Sequence, residues 1–158
     1  YKNSLRILLK RMGPEHPEVA TCYNNLGSVY SNMGENDKVL EYCKKALEIW
    51  TKTLGPHHPY VGISYHHHAE SYYKSGDYRK AQECLKKALE IFRGKLDKNN
   101  IKIGRAELLY AKTLYNLHHI SDAEEHLETA IKIAEKQDEE PEYMQEAIEL
   151  KKEFGGGS

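Results

Sequence analysis

Gly13-Pro14-Glu15-His16-Pro17 recurs as Gly55-Pro56-His57-His58-Pro59, 42 residues further on, and this self-similarity limits the fold more than any other feature of the 158-residue chain. The offset persists beyond the turn. Val19, Tyr23, Tyr30, Gly34, Lys38 and Glu41 meet Val61, Tyr65, Tyr72, Gly76, Lys80 and Glu83, and the stretch from Lys44 to Ile49 is repeated letter for letter from Lys86 to Ile91. A weaker third copy keeps the register: Gly27 and Ala69 meet Ala111, Ala46 and Ala88 meet Ala130, and Ile49 and Ile91 meet Ile133. A period of this length marks an array of supersecondary units, each too small to bury its own apolar face. The units are 13–54, 55–96 and 97–138. Residues 1–12 read as the second helix of a truncated preceding unit, because Leu5 and Ile7 fall where Leu47 and Ile49 fall.

Within a unit the apolar residues run at helical spacing. Val19, Tyr23, Leu26 and Tyr30 mark a first helix, and Val39, Cys43, Ala46, Leu47 and Trp50 mark a second. Gly34 and Gly76 end the first helices where a positive φ is needed, and Gly-Pro-x-His-Pro separates units because proline stops one helix and suits the start of another. Small residues at 27, 69 and 111, and at 46, 88 and 130, let neighbouring helices approach closely and pack ridge into groove. The expected fold is all-α, a stack of antiparallel helix pairs. Residues 139–154, rich in Glu and Lys after Pro141, read as a capping helix, and 155–158 as a flexible linker-like tail.

Composition narrows the partners. Lys plus Arg number 23 against 24 Asp plus Glu, so a net charge of -1 gives no whole-molecule attraction to nucleic acid or to an anionic membrane. No run approaches the roughly twenty apolar residues that span a bilayer. The start of the chain shows neither an initiator Met nor a secretory signal, which reads as a soluble piece of a longer protein. Cys22, Cys43 and Cys84 are an odd number without zinc or thioredoxin spacing, which points to free thiols in a reducing, cytoplasmic setting.

The pattern aromatic-x-x-Leu-Gly-x-x-Tyr at Tyr23, Leu26, Gly27 and Tyr30, followed by the small Ala46, resembles a tetratricopeptide repeat. The 42-residue period, the linker from Leu54 to Val61 and the phrase Tyr23-Asn24-Asn25-Leu26-Gly27 are similar to the kinesin-light-chain and nephrocystin-type form of that repeat. The resemblance covers 13–138 and implies a right-handed superhelical α-solenoid. Its third unit departs from the pattern. The linker becomes Asp97-Lys98-Asn99-Asn100-Ile101, His118 replaces the glycine, and Glu107 stands where Tyr23 and Tyr65 stand. If Glu107 is buried, the first helix of this unit is expected to be displaced and its groove residues misplaced.

Residue types that could carry chemistry are present without a supporting pattern. His66-His67-His68 suggests a metal, but consecutive helical residues point about 100° apart, whereas ligands to one ion sit at i and i+4 or converge from different elements. The sequence therefore predicts no metal and no cofactor. His68 falls at the core position of Leu26, and His16, His57 and His58 fall in turns. No phosphate loop, His-Glu-x-x-His helix, Gly-x-Ser-x-Gly elbow or Cys-x-x-Cys pair occurs, so no enzyme is expected. Glu124-Glu125 and the acidic run at 138–140 read as solvated charge.

What the resemblance does imply is a concave groove, lined by first helices, that receives an extended peptide. The corresponding positions are Asn24, Asn25, Ser28, Ser31 and Asn32 in the first unit and His66, Glu70, Tyr73 and Lys74 in the second. The third offers Arg105, Leu108, Lys112, Tyr115 and Asn116. Asn can bond a peptide backbone, Tyr offers rigid amphipathic area, and Arg or Lys fixes a carboxylate. With Lys74, Arg105 and Lys112 against Glu70, an acidic peptide is the expected ligand. The competing expectation is a structural or engineered scaffold that associates end to end and leaves the groove empty.

Overall fold

The structure is a computed structural model that describes residues 2–137 and 141–155. Among these residues the chain forms helices α1 (Lys2–Met12), α2 (Pro17–Asn32), α3 (Asn36–Leu54), α4 (Pro59–Lys74), α5 (Tyr78–Lys95), α6 (Ile101–Asn116), α7 (Ile120–Ala134) and α8 (Tyr143–Gly155), with no strand. The acidic run at 138–140, the first residues expected of the capping helix and the end of the tail at 156–158 lie outside the described residues. Gly155, assigned to the tail by sequence, is the last residue of α8.

Each first helix starts in the same way. His16 Nδ1 accepts the Glu18 backbone N–H at 3.3 Å and His58 Nδ1 accepts that of Tyr60 at 3.2 Å, with proline next in the chain at 17 and 59. In the third unit Asn100 Oδ1 accepts the Lys102 N–H at 3.0 Å. The turn histidines are thus N-caps, and Asn100 does the same work where the His-Pro pair is missing. First helices also end alike. The N–H groups of Glu35, Asp77 and His119 reach back to the carbonyls of Tyr30, Tyr72 and Leu114 at 3.0, 2.9 and 2.9 Å, a Schellman closure that needs a left-handed residue just before the donor. Gly34 and Gly76 supply it with φ of 74° and 81°, and His118 adopts it at 63° without being glycine.

Every helix packs on its chain neighbour, and α2, α4, α6 and α8 also form a row of their own, each touching the next. The core runs between units. Ala20, Ala46, Trp50, Val61 and Ile91 form one cluster; Leu85, Phe92, Ile103, Tyr110 and Leu114 belong to the next; Leu108, Leu127, Ile131 and Tyr143 belong to the last. Burying apolar area between units, at roughly 25 cal/mol per Å², is what holds an array whose single pairs could not stand alone. The product is the expected α-solenoid. His68 is buried where Leu26 is buried, and Cys22, Cys43 and Cys84 are free thiols.

One expectation for the third unit fails. Glu107 is 0% exposed, yet α6 keeps its place in the row. Two partners make the burial tolerable: Arg93 Nη2 donates to Glu107 Oε1 at 2.5 Å, and His126 Nδ1 lies 2.6 Å from Oε2. A buried carboxylate met by two nitrogen donors does not have to push its helix toward solvent. Arg105, Leu108 and Lys112 consequently stay on the side of α6 that faces α4 and α8.

Candidate functional site

The row of first helices is knitted by side chains 43 residues apart. His67 Nδ1 lies 3.0 Å from Asn24 Oδ1, Lys74 Nζ donates to Ser31 Oγ at 2.8 Å, and Asn116 Nδ2 donates to Tyr73 Oη at 3.3 Å. An offset one residue longer than the repeat pairs residues on adjacent helices that lean toward each other. Five of the candidate groove residues therefore hold one unit to the next. Asn24 is buried rather than presented to solvent, and its carbonyl oxygen is taken by His67. Ser28 donates to the Asn24 carbonyl within its own helix at 3.3 Å, Asn25 is half-buried, and Asn32 is exposed at the end of α2.

A cavity of about 400 Å³ opens on this face between α4, α6 and α8. It gathers His66, Glu70, Tyr73, Lys74, Arg105, Leu108 and Lys112, seven residues singled out from the sequence. Tyr115 and Asn116 line an adjoining hollow of about 300 Å³ with Tyr73 and Lys112. Asn24, Asn25, Ser28 and Asn32 line neither. Apolar area from Leu108 and Tyr73 and charges of both signs surround the larger cavity, a mixture suited to a polar ligand with some apolar surface.

The sequence missed the third wall. α8 stands in the first-helix row and, with Glu142 just before it, brings Tyr143 and Glu146 to the cavity. Lys112 Nζ donates to Glu146 Oε1 at 2.5 Å while lying 5.1 Å above the Tyr73 ring, and the Arg105 guanidinium is 3.5 Å from Glu142. Counting first helices of the three units alone gave a basic groove. With α8 in place Lys74, Arg105 and Lys112 meet Glu70, Glu142 and Glu146. The signal was present as the Glu-rich composition of 139–154, but a cap assignment does not say which face its carboxylates reach.

Electrostatics on the floor follow from burial. Loss of water, then the positive Arg105, pushes the His66 imidazole down to about 4. Burial pushes His67 down to about 4 against the opposing pull of Glu70, and burial lowers His68 as well. All three rings are neutral at physiological pH. Among the described residues one group of three side chains could hold a metal ion, His66, His67 and Glu70. No described helix is long and apolar enough to cross a membrane.

The chain matches the family described as "Tetratricopeptide repeat" over residues 24–94 and again over 61–136. No curated protein matches it. Among solved structures, BtubC (BKLC) from P. vanneervenii is similar with a TM-score of 0.76 at 22% identity, over 89% of this chain and 57% of that one. A Podosopora anserina protein described as a kinesin light chain with nearly identical TPR-like repeats gives 0.70 at 22%, over 89% and 75%. The N-terminal domain of stress-induced protein-1 (STI-1) from C. elegans gives 0.61 at 18%, over 85% and 96%. At these identities the likeness is one of fold, and this chain spans little more than half of the BtubC chain.

Proposed function

Because the chain belongs to the tetratricopeptide repeat family, with helix pairs of the kinesin-light-chain type, we propose that it is a protein-interaction module that captures an extended, acidic segment of a partner along the face formed by α4, α6 and α8. Capture is an equilibrium, with no bond made or broken. The observation that carries the reading is the cavity of about 400 Å³ in which Lys74, Arg105 and Lys112 stand around Tyr73 and Leu108. Lys and Arg side chains fix carboxylates, and the aromatic and aliphatic groups give a side chain of the ligand somewhere to bury. Glu142 and Glu146 show that Arg105 and Lys112 can hold carboxylates, and a ligand's carboxylates would have to compete with them for those cations. Lys74 has no carboxylate within ion-pair distance among the described residues and stands ready for one. Neither nucleic acid nor a membrane is part of this reading, and the free thiols of Cys22, Cys43 and Cys84 fit a reducing, cytoplasmic setting.

Selection from a random peptide display library tests it, run in parallel on the parent chain and on a Lys74→Ala, Lys112→Ala variant shown by circular dichroism to fold. Acidic or aromatic-acidic peptides enriched by the parent and lost from the variant support capture at this face. Enrichment indifferent to both lysines sinks it.

A second reading is favoured by one observation. Ile7 and Met12 on α1, Val29 on α2 and Met33 just past it are 51, 46, 39 and 61% exposed, apolar side chains at one end of the row. Copies associating through that end would make a scaffold rather than an adaptor. Sedimentation at rising concentration separates the two, since only the scaffold grows in mass without a ligand.

A further inference from the structure

We propose that His66, His67 and Glu70 on α4 form a binding site for a divalent transition metal, zinc by the chemistry of its donors, with one coordination position left open to the groove. One ligand atom from each side chain lies within 4.8 Å of the other two. Bonds of about 2.0–2.2 Å to zinc place tetrahedral ligands about 3.3 Å apart, so closing the site takes side-chain adjustments of less than about 1 Å. Three consecutive histidines on a helix do not converge on one ion by themselves, but Glu70 lies one helical turn beyond His66, with Oε1 3.9 Å from His66 Nδ1, and supplies an i, i+4 ligand.

Two further observations point the same way. His67 donates its Nδ1–H to Asn24 Oδ1, a carbonyl on the neighbouring repeat, which fixes the ring and directs the Nε2 lone pair away from that bond. Metal-bound histidines are oriented in this way by a second hydrogen bond. A cavity of about 180 Å³ beside the cluster, with Ile63 and Phe92 among its walls, leaves room for a water or a ligand carboxylate as fourth donor. Lys102 and Arg105 also line that cavity and oppose a cation, which weakens the site. The site shares the groove floor but does not depend on a peptide binding there.

The test is a zinc titration of the chelator-stripped protein against a chromophoric competitor, with cobalt absorption as an independent signature of coordination. The expected result is saturable 1:1 binding, at least about tenfold weaker in each of His66→Gln, His67→Gln and Glu70→Gln. Asn24→Ala, which removes the orienting bond to His67 but no ligand, is expected to weaken it about tenfold. His57→Gln, on an exposed turn, leaves it unchanged. Glu70 is half-exposed, so Glu70→Gln decides the matter even where a buried histidine variant fails to fold. Absence of 1:1 binding, binding unaffected by Glu70→Gln and His67→Gln, or binding lost in His57→Gln overturns the proposal.

Discussion

The Arg93 guanidinium, at the end of α5, donates a 2.5 Å hydrogen bond to the carboxylate of Glu107 in the middle of α6, and Glu107 is wholly buried. His126 Nδ1, 2.6 Å away on α7, completes the set. Removing one partner of such a group strands a charge, whereas removing the whole group need not cost anything. Arg93→Ala is expected to destabilise the chain by about 1–3 kcal/mol in chemical denaturation, the lower part of the range because Arg93 is half in solvent. The double variant Arg93→Ala, Glu107→Leu should regain most of that loss. An unchanged midpoint in the single variant would mean that His126 and the protein dipoles suffice for Glu107.

Gly104 is a notch for Tyr143. A Cβ at residue 104 would stand 2.0 Å from the Tyr143 hydroxyl, 2.7 Å from its Cζ and 3.1 Å from Ile133 Cγ2. Since Tyr143 anchors α8, and its hydroxyl donates to the Ala130 carbonyl at 3.3 Å, Gly104→Ala should lift α8 from α6. A loss of about 1–3 kcal/mol is expected, with faster amide exchange confined to α8. In a Tyr143→Ala background, where the clash is gone, the same substitution should cost far less.

Acid should weaken the fold through the α4 histidines. His66 and His67 titrate at about 4 when folded and at 6.5 in an unpacked chain. Between those values the unfolded chain binds more protons, so stability rises with pH across that window. It is fully present above about 6.5 and lost as pH falls toward 4. Glu70, Lys102 and Arg105 face the same rings and contribute to the balance. The melting temperature should drop from pH 7 to pH 4.5 by more in the parent than in His67→Gln; equal drops would refute burial of a neutral His67.

Glu146 competes for the cation that an acidic ligand would use. Glu146→Gln frees Lys112 and should tighten an acidic peptide about two- to fivefold, as expected for replacing a half-exposed ion pair. A neutral peptide of the same shape should not respond. Weaker binding of the acidic peptide would place Lys112 in a structural role only.

The repeat made the fold legible, and its breaks are where the reading faltered. Gly34 and Gly76 announced their left-handed turn, and His118 could be expected there only because the register put it in the glycine position. Glu107 looked like a defect when read alone. In the same register, positions 23 and 42, 65 and 84, and 107 and 126 are Tyr with Tyr, Tyr with Cys, and Glu with His. Tyr23 stacks on Tyr42 at 6.0 Å between ring centres, and Glu107 bonds His126 in the corresponding place. One contact has changed chemistry on both sides at once, a signal that comparing units pair by pair would have caught. For the groove, the period indicated which helices share a face. It could not show that Asn24, Ser31, Tyr73, Lys74 and Asn116 bond between repeats, since that depends on how far successive pairs rotate. Nor could it place Glu142 and Glu146, because α8 follows the last recognisable unit and its register is not fixed by any copy.

The most direct test of the central claim is a backbone amide spectrum of the isotopically labelled chain, recorded while a peptide with acidic residues around an aromatic one is added. The account predicts saturable shifts on the inner faces of α4, α6 and α8, around 66–74, 105–116 and 142–150, that shrink in the Lys74→Ala, Lys112→Ala variant. Shifts confined to α3, α5 and α7, or to the α1–α2 end, would contradict it.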